Sequence, residues 1–201
     1  MDYPKRLRPD NINSAEYWEE IWKKEGQAAT RRIDPDRFAN MASLLNRDES
    51  VLDVAGGMGE FLVFLRTVGF TNTLGLVEQS DYAVARARAM SFEGYRGSVY
   101  GLPFASKSWD AVTLGEVIEH IDDPAQAVTE AARVARRCVV LSTPYLTVLN
   151  GDPEHVWAWD LDSISRLLEP HGRVRITMTT EDPGQYHGFR YQIIVAGAFR
   201  E

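Results

Sequence analysis

Val51-Leu52-Asp53-Val54-Ala55-Gly56-Gly57-Met58-Gly59-Glu60-Phe61-Leu62 is the stretch that decides how this chain reads. A β-branched apolar run passes into a cluster of glycines, and Phe61, Leu62, Phe64, Leu65 and Val68 then recur at helical spacing until Gly69. The order is strand, tight turn, helix. Glycine in such a turn removes the Cβ that keeps a ligand off the backbone, and the helix that follows aims its free N–H groups at whatever binds there. A phosphate-binding P-loop ends in Gly-Lys followed by Ser or Thr; no lysine stands near this turn, so that class is excluded. The dinucleotide fingerprint G-x-G-x-x-G would place its third glycine at Leu62, which disfavours an NAD enzyme. Asp53 and Glu60 bracket the glycines. Carboxylates there repel a pyrophosphate and suit a cationic ligand such as a sulfonium.

These residues resemble the first motif of the class I S-adenosylmethionine-dependent methyltransferases, apolar-apolar-Asp-x-Gly-x-Gly-x-Gly, with Ala55 standing where the first glycine is usual. The resemblance implies that Asp53, Ala55, Gly57 and Gly59 contact S-adenosyl-L-methionine. Alanine carries a Cβ, so a left-handed backbone at position 55 would be strained.

Working outward, Leu74 to Val77 reads as a second strand ending at Glu78, with Ser80 capping a helix that carries Val84, Ala87 and Met90. Glu78 lies about 20 residues beyond the glycine turn, where a doubly wound fold places the acid that accepts from a ribose diol; Glu78 and Gln79 are assigned to the cofactor. Tyr95 to Val99 reads as a third strand. With Leu102-Pro103-Phe104 and Trp109-Asp110 it resembles the family's Gly-Asp-x-x-x-Leu-Pro-Phe stretch, which puts Ser98 at the adenine acceptor position and Val99 against the adenine face. The fourth strand runs to Leu114, and Gly115-Glu116-Val117-Ile118-Glu119-His120 resembles the family segment ending in Glu-His, so Gly115 and Glu116 join the cofactor set.

Asp123-Pro124 starts a helix, and a fifth strand runs from Cys138 to Leu141. Ser142-Thr143-Pro144-Tyr145 after it resembles small-molecule methyltransferases of the ubiquinone-biosynthesis type. Upstream, Asn13 with Glu16 fits a capping box for a helix bearing Tyr17, Trp18, Ile21 and Trp22, and Asp34-Pro35 opens a second helix with Phe38, Met41, Ala42 and Leu45 inward. Residues 1–46 are expected to cap the site as an arm and helices. Downstream, Asn150-Gly151-Asp152-Pro153 is a turn cluster before His155, Trp157 and Trp159, and Asp160 caps a further helix. Gly172 to Thr180 and Phe189 to Phe199 form an antiparallel hairpin around Pro183-Gly184.

Five short apolar strands alternating with helices require a parallel sheet covered on both faces. The expected fold is α/β and doubly wound, a mostly parallel seven-stranded Rossmann-like methyltransferase sheet closed by the C-terminal hairpin, in one domain over residues 1–201. At 201 residues and 44% hydrophobic content the chain suits one core. Its net charge of −7 argues against nucleic acid as a partner. No run of about 18 apolar residues appears, and the polar N-terminus is unlike a signal peptide, so a soluble, cytoplasmic protein with no membrane span is expected. The single cysteine, Cys138, reads as a buried strand residue rather than a nucleophile.

The expected activity is transfer of a methyl group from S-adenosyl-L-methionine to a small-molecule acceptor. His120 and His155 are the candidate bases, because a neutral imidazole accepts a proton near pH 7. Tyr17, Trp22, Ser142, Tyr145, His155 and Trp157 are assigned to the acceptor, and no residue to a metal. The alternatives are a scaffold that binds the S-adenosyl ligand without turnover, supported by Ala55 and Ser98, and an NAD-dependent oxidoreductase.

Overall fold

The computed structural model describes residues 3–27, 35–145, 153–181 and 191–200. Its elements in chain order are β1 (Lys5–Arg6), α1 (Ala15–Gln27), α2 (Pro35–Ser43), β2 (Val51–Val54), α3 (Glu60–Thr67), β3 (Leu74–Glu78), α4 (Asp81–Ala89), β4 (Glu93–Arg96), β5 (Trp109–Gly115), α5 (Pro124–Val134), β6 (Ala135–Pro144), β7 (Trp157–Ala158), α6 (Leu161–Leu168), β8 (Arg173–Glu181) and β9 (Tyr191–Phe199). Seven of the strands make one sheet in the order β4-β3-β2-β5-β6-β9-β8. The pairs from β4 to β6 are parallel, whereas β9 runs antiparallel to both β6 and β8. This is the expected fold class.

Alternation along the strands builds two cores. Leu52 and Val54 of β2, Val112 and Leu114 of β5, and Val139 and Leu141 of β6 pack in one cluster, with Val128 and Ala131 of α5 and Ile164 and Leu168 of α6. Their neighbours Val51, Ala111, Cys138 and Val140 point the other way, onto Phe38 and Met41 of α2 and Phe61, Leu62 and Leu65 of α3. A two-residue period with both faces covered is what a parallel sheet demands. Cys138 is buried, and burial pushes its thiol up to about 12, so it is an inert core residue. Among the described residues no helix is long and apolar enough to cross a membrane.

Helix entries follow local chemistry. Ser80 accepts from Ala83 N–H at 3.1 Å, Asp123 from Gln126 N–H at 2.9 Å, and Asp160 makes a full capping box with Ser163. Two expectations are corrected. The entry of α1 is capped by Ser14, whose hydroxyl accepts from Tyr17 N–H at 3.1 Å, while the Asn13 amide donates to the Glu154 carbonyl at 2.7 Å. Strand β4 is Glu93–Arg96, not Tyr95 to Val99. Gly97 N–H still reaches Glu78 O, but the Ser98 hydroxyl then accepts from Tyr100 N–H and turns the chain, the local competition that serine offers a ladder. Asp34, the turn residues 150–152 and the hairpin turn at Pro183-Gly184 lie outside the described residues.

Strand order reverses between β2 and β5, so the crevice beyond their C-terminal ends is the place this fold offers a ligand.

Candidate active site

Parallel neighbours end at the same edge, and β4, β3, β2 and β5 are consecutive in the sheet. Asp53, Ala55, Gly57 and Gly59 therefore lie beside Glu78 and Gln79 on one side and Gly115 and Glu116 on the other, with Ser98 and Val99 following β4. The structure brings all the sequence-assigned cofactor residues to this edge.

The glycine turn is tightly wound, with φ of 53° at Ala55, 53° at Gly57 and 80° at Gly59. Ala55 does adopt the left-handed conformation its Cβ disfavours. Gly59 is the N-cap of α3 and supplies no side-chain cap, so the first turn of that helix presents backbone donors. Glu78 lies across the turn: its Oε2 accepts from Gly57 N–H at 3.2 Å, and its Oε1 from Gln79 and Ser80 N–H at 2.7 and 3.3 Å. Burial pushes its carboxyl up, against the downward pull of those three N–H groups. Asp53 sits beneath, its Oδ1 accepting from the Thr113 hydroxyl at 2.6 Å, and burial raises it to about 7 although Thr113 and Arg37 oppose the rise.

Helix α1 roofs this edge. A Cβ at Gly57 would lie 3.0 Å from the Trp22 indole. Glu19 accepts from the Ser80 hydroxyl and from Tyr82 N–H, which ties α1 to the start of α4. From Trp22 the aromatic series continues: Trp22 stacks on Trp18 at 5.1 Å, Trp18 meets His120 edge-on at 5.7 Å, and His120 meets His155 at 4.9 Å. The two candidate bases are thus neighbours, at the far end of an aromatic wall that starts over the glycine turn.

The remaining acceptor residues divide. Tyr17 donates to Glu154 Oε1 at 2.7 Å, beside the histidines. Ser142 is buried at the end of β6 and donates to Glu116 Oε1 at 2.9 Å, holding that residue at φ 55°. Trp157 donates to the Ile121 carbonyl at 2.8 Å and carries Arg6 over its ring, and Tyr145 bridges to Trp159, so both tie loops together.

Sequence reasoning missed Arg37 and Glu119. Arg37 and Met41, one turn apart on α2, both reach 3.4 Å from where a Cβ of Gly115 would stand, and the Arg37 charge acts on Asp53 and Glu119. That spacing on an inward helix face was the available signal. Glu119 is wholly buried; its Oε2 accepts from the Thr143 hydroxyl at 3.0 Å and its Oε1 lies 3.8 Å from His120 Nε2. Burial first and the Glu116 charge second push its carboxyl well above the usual carboxylate range.

Residues 52–142 match the family model described as a methyltransferase domain. The chain is 32% identical over 128 residues to a ubiquinone/menaquinone biosynthesis C-methyltransferase of Roseobacter denitrificans, covering 58% of this chain and 50% of that one. It is 35% identical over 92 residues to a demethylmenaquinone methyltransferase of Roseiflexus castenholzii, covering 42% and 37%. The chain spans about half or less of the length of these curated relatives. Among solved structures, an S-adenosylmethionine-dependent methyltransferase of Thermotoga maritima superposes with a TM-score of 0.72 at 15% identity, covering 94% of this chain and all of that one. The sheet order with its closing hairpin is that Rossmann-like fold.

Proposed function

We propose that this chain, whose residues 52–142 match a methyltransferase domain, is a class I S-adenosylmethionine-dependent methyltransferase that transfers a methyl group from S-adenosyl-L-methionine to a small organic acceptor. The observation that carries the reading is the convergence of the glycine turn, Glu78, the Ser98 loop and Glu116 at four adjacent parallel strand ends, inside the segment matching the methyltransferase domain. The donor set fits the cofactor: a turn whose Gly57 and Gly59 conformations leave no room for side chains, and carboxylates at Asp53 and Glu78 rather than a lysine or arginine in the turn. Fully buried Leu62 fills the place a dinucleotide site reserves for glycine.

When bound, the cofactor supplies a methyl carbon on a positively charged sulfur that leaves as a neutral thioether. The chain has to hold its acceptor in line with that carbon, so positioning can provide most of the acceleration. Glu78 and Gln79 serve the ribose, Ser98 and Val99 the adenine, and Gly57, Gly59, Gly115 and Glu116 the methionyl end. The acceptor lies along Tyr17, Trp18 and Trp22, an aromatic wall suited to a planar ring; the names of the two curated relatives, both of quinone chemistry, favour that choice. Its proton leaves toward His120 and His155. We place the protein in the cytoplasm.

The test needs no acceptor. S-Adenosylmethionine or S-adenosylhomocysteine at about 100 times its Kd should stabilise the fold by about 2.7 kcal/mol. For a chain of this size that raises Tm by about 5–11 °C, with NAD and NADP giving little. A shift with NAD and none with either S-adenosyl ligand would overturn the proposal.

A further inference from the structure

We propose that Glu119, His120 and His155 form a binding site for a divalent transition-metal ion of the zinc type, with Glu119 Oε1, His120 Nε2 and one ring nitrogen of His155 as ligands. One ligand atom from each residue lies within 4.8 Å of the others. The binding goes beyond methyl transfer and is tested apart from it; an ion held at His120 Nε2 takes the lone pair that would otherwise accept the acceptor's proton, so ion and proton compete for it, and only the use of the site toward an acceptor rests on that reading.

The site is stitched from two distant segments. The Glu119 carbonyl accepts from Val156 N–H at 2.7 Å and Trp157 N–H at 3.1 Å, which brings the loop carrying His155 against the turn carrying His120. His120 Nδ1 is 3.0 Å from the Glu154 carbonyl oxygen. A carbonyl only accepts, so Nδ1 holds a proton, and in the neutral form of the ring the lone pair is at Nε2. That lone pair faces Glu119 Oε1 across 3.8 Å, too far for a hydrogen bond. A zinc ion with bonds of about 2.0–2.2 Å to nitrogen and oxygen at a tetrahedral angle would hold the two atoms about 3.4 Å apart. Closing that difference takes a few tenths of an ångström.

Glu119 Oε1 is an open acceptor position. The residue has no exposed surface, and among the described residues Oε1 has no hydrogen-bond partner. Leaving it ionised and unpaired costs several kcal/mol in general, a cost that either a proton or a cation removes. Its other oxygen is fixed by Thr143, and His120 is oriented by a backbone carbonyl, the kinds of outer contact that hold metal ligands in place. Two imidazoles and one carboxylate suit zinc and its transition-metal neighbours and disfavour magnesium, which prefers an all-oxygen shell. Three protein ligands leave a fourth position for an oxygen, nitrogen or sulfur atom of an acceptor.

The full chain, without an affinity tag and after treatment with a chelator, should bind one zinc ion per chain by isothermal titration, show a visible d–d band when loaded with cobalt, and give no saturable heat with magnesium. Glu119→Gln and His155→Asn should each weaken zinc binding by about 100-fold or more, and Thr143→Val by about 10–100-fold, with native circular dichroism. No saturable zinc binding by the unaltered chain, or unchanged binding in both ligand variants, would overturn the site. S-Adenosylhomocysteine titrated into the same samples reports on the glycine turn separately, so a failure there leaves the metal result intact.

Discussion

Glu78 ends one parallel strand and Glu119 follows another; both are buried acids, yet their surroundings differ in kind. Glu78 is fed by three backbone N–H groups, from Gly57, Gln79 and Ser80. Glu119 has one hydroxyl on one oxygen and an imidazole facing the other. A carboxylate anchored by its own backbone is an immobile acceptor, fit to take hydrogen bonds from a diol. A carboxylate opposite an imidazole lone pair is an incomplete site, fit to share a proton or a cation. On the proposed function the turn side serves binding and the far side chemistry, and α1 spans the two through Trp22 and Trp18.

The sharpest way to break that contrast is at the turn. At Gly57 the backbone has φ 53° and a Cβ would meet Trp22 at 3.0 Å, so a β-branched residue both strains the chain and pushes on the roof. Gly57→Val should abolish S-adenosylhomocysteine binding in titration while circular dichroism stays native. Unimpaired binding would mean that the turn is not the cradle.

Glu78 comes next. Glu78→Ala removes a charged acceptor and should weaken S-adenosylmethionine binding by about 1.5–3 kcal/mol. The same substitution leaves the N–H groups of Gly57, Gln79 and Ser80 without their acceptor, so Glu78→Gln separates the two effects. The amide keeps the shape and loses the charge. Equal dissociation constants for the unaltered protein and both variants would remove Glu78 from the ribose.

How much of this was legible follows the same division. Two of the partners of Glu78 are its next residues and the third sits in a glycine motif, so spacing alone located the cradle. The helix starts at Ser80, Asp123 and Asp160 were legible for the same reason, since a cap is a local event. Glu119 was quoted only as part of a motif, because what makes it unusual is Thr143, Arg37 and His155, each from another element. The third strand was misplaced for a local reason: the Ser98 hydroxyl accepts from Tyr100 N–H, a competition with the ladder that strand propensity does not register. Trp22, assigned to the acceptor, also lies over the glycine turn, a contact across the fold that no periodicity contains.

Asp53 sharpens the comparison as a third buried acid, placed between the other two. Its carboxyl is raised from 3.8 to about 7, burial leading and Glu60 and Glu78 adding to it. A raised folded value means that the native state holds a proton the unfolded state has released. The contribution is therefore fully present below about pH 4 and is lost as pH rises through about 7. Between those limits the unaltered protein should lose stability with rising pH by at most about 1.4 kcal/mol per unit from this group. Asp53→Asn should flatten that slope in urea titrations run at pH 5, 6 and 7. Parallel slopes would show that Arg37 and Thr113 hold Asp53 ionised, as an ordinary strand-end acid.

The smallest expected effect is at Ala55, and it tests whether the cradle carries strain. A non-glycine residue at φ 53° costs about 1–2 kcal/mol. Ala55→Gly relieves that cost, loses part of a methyl group packed on the core, worth up to about 0.8 kcal/mol when fully buried, and adds about 0.4–1 kcal/mol of unfolded-chain entropy. The terms nearly cancel, so the urea midpoint should stay within about 0.5 kcal/mol of the unaltered protein. At an unstrained site in a helix the same exchange costs about 1 kcal/mol. Glu116, at φ 55° across the crevice, supplies the contrast: Glu116→Gly relieves a similar strain but cuts the bond from Ser142, so it should be the more destabilising of the two. A loss of more than about 1 kcal/mol at Ala55 would mean that its methyl packing outweighs the backbone cost, and that alanine stands in the turn for its contacts, not in spite of its conformation.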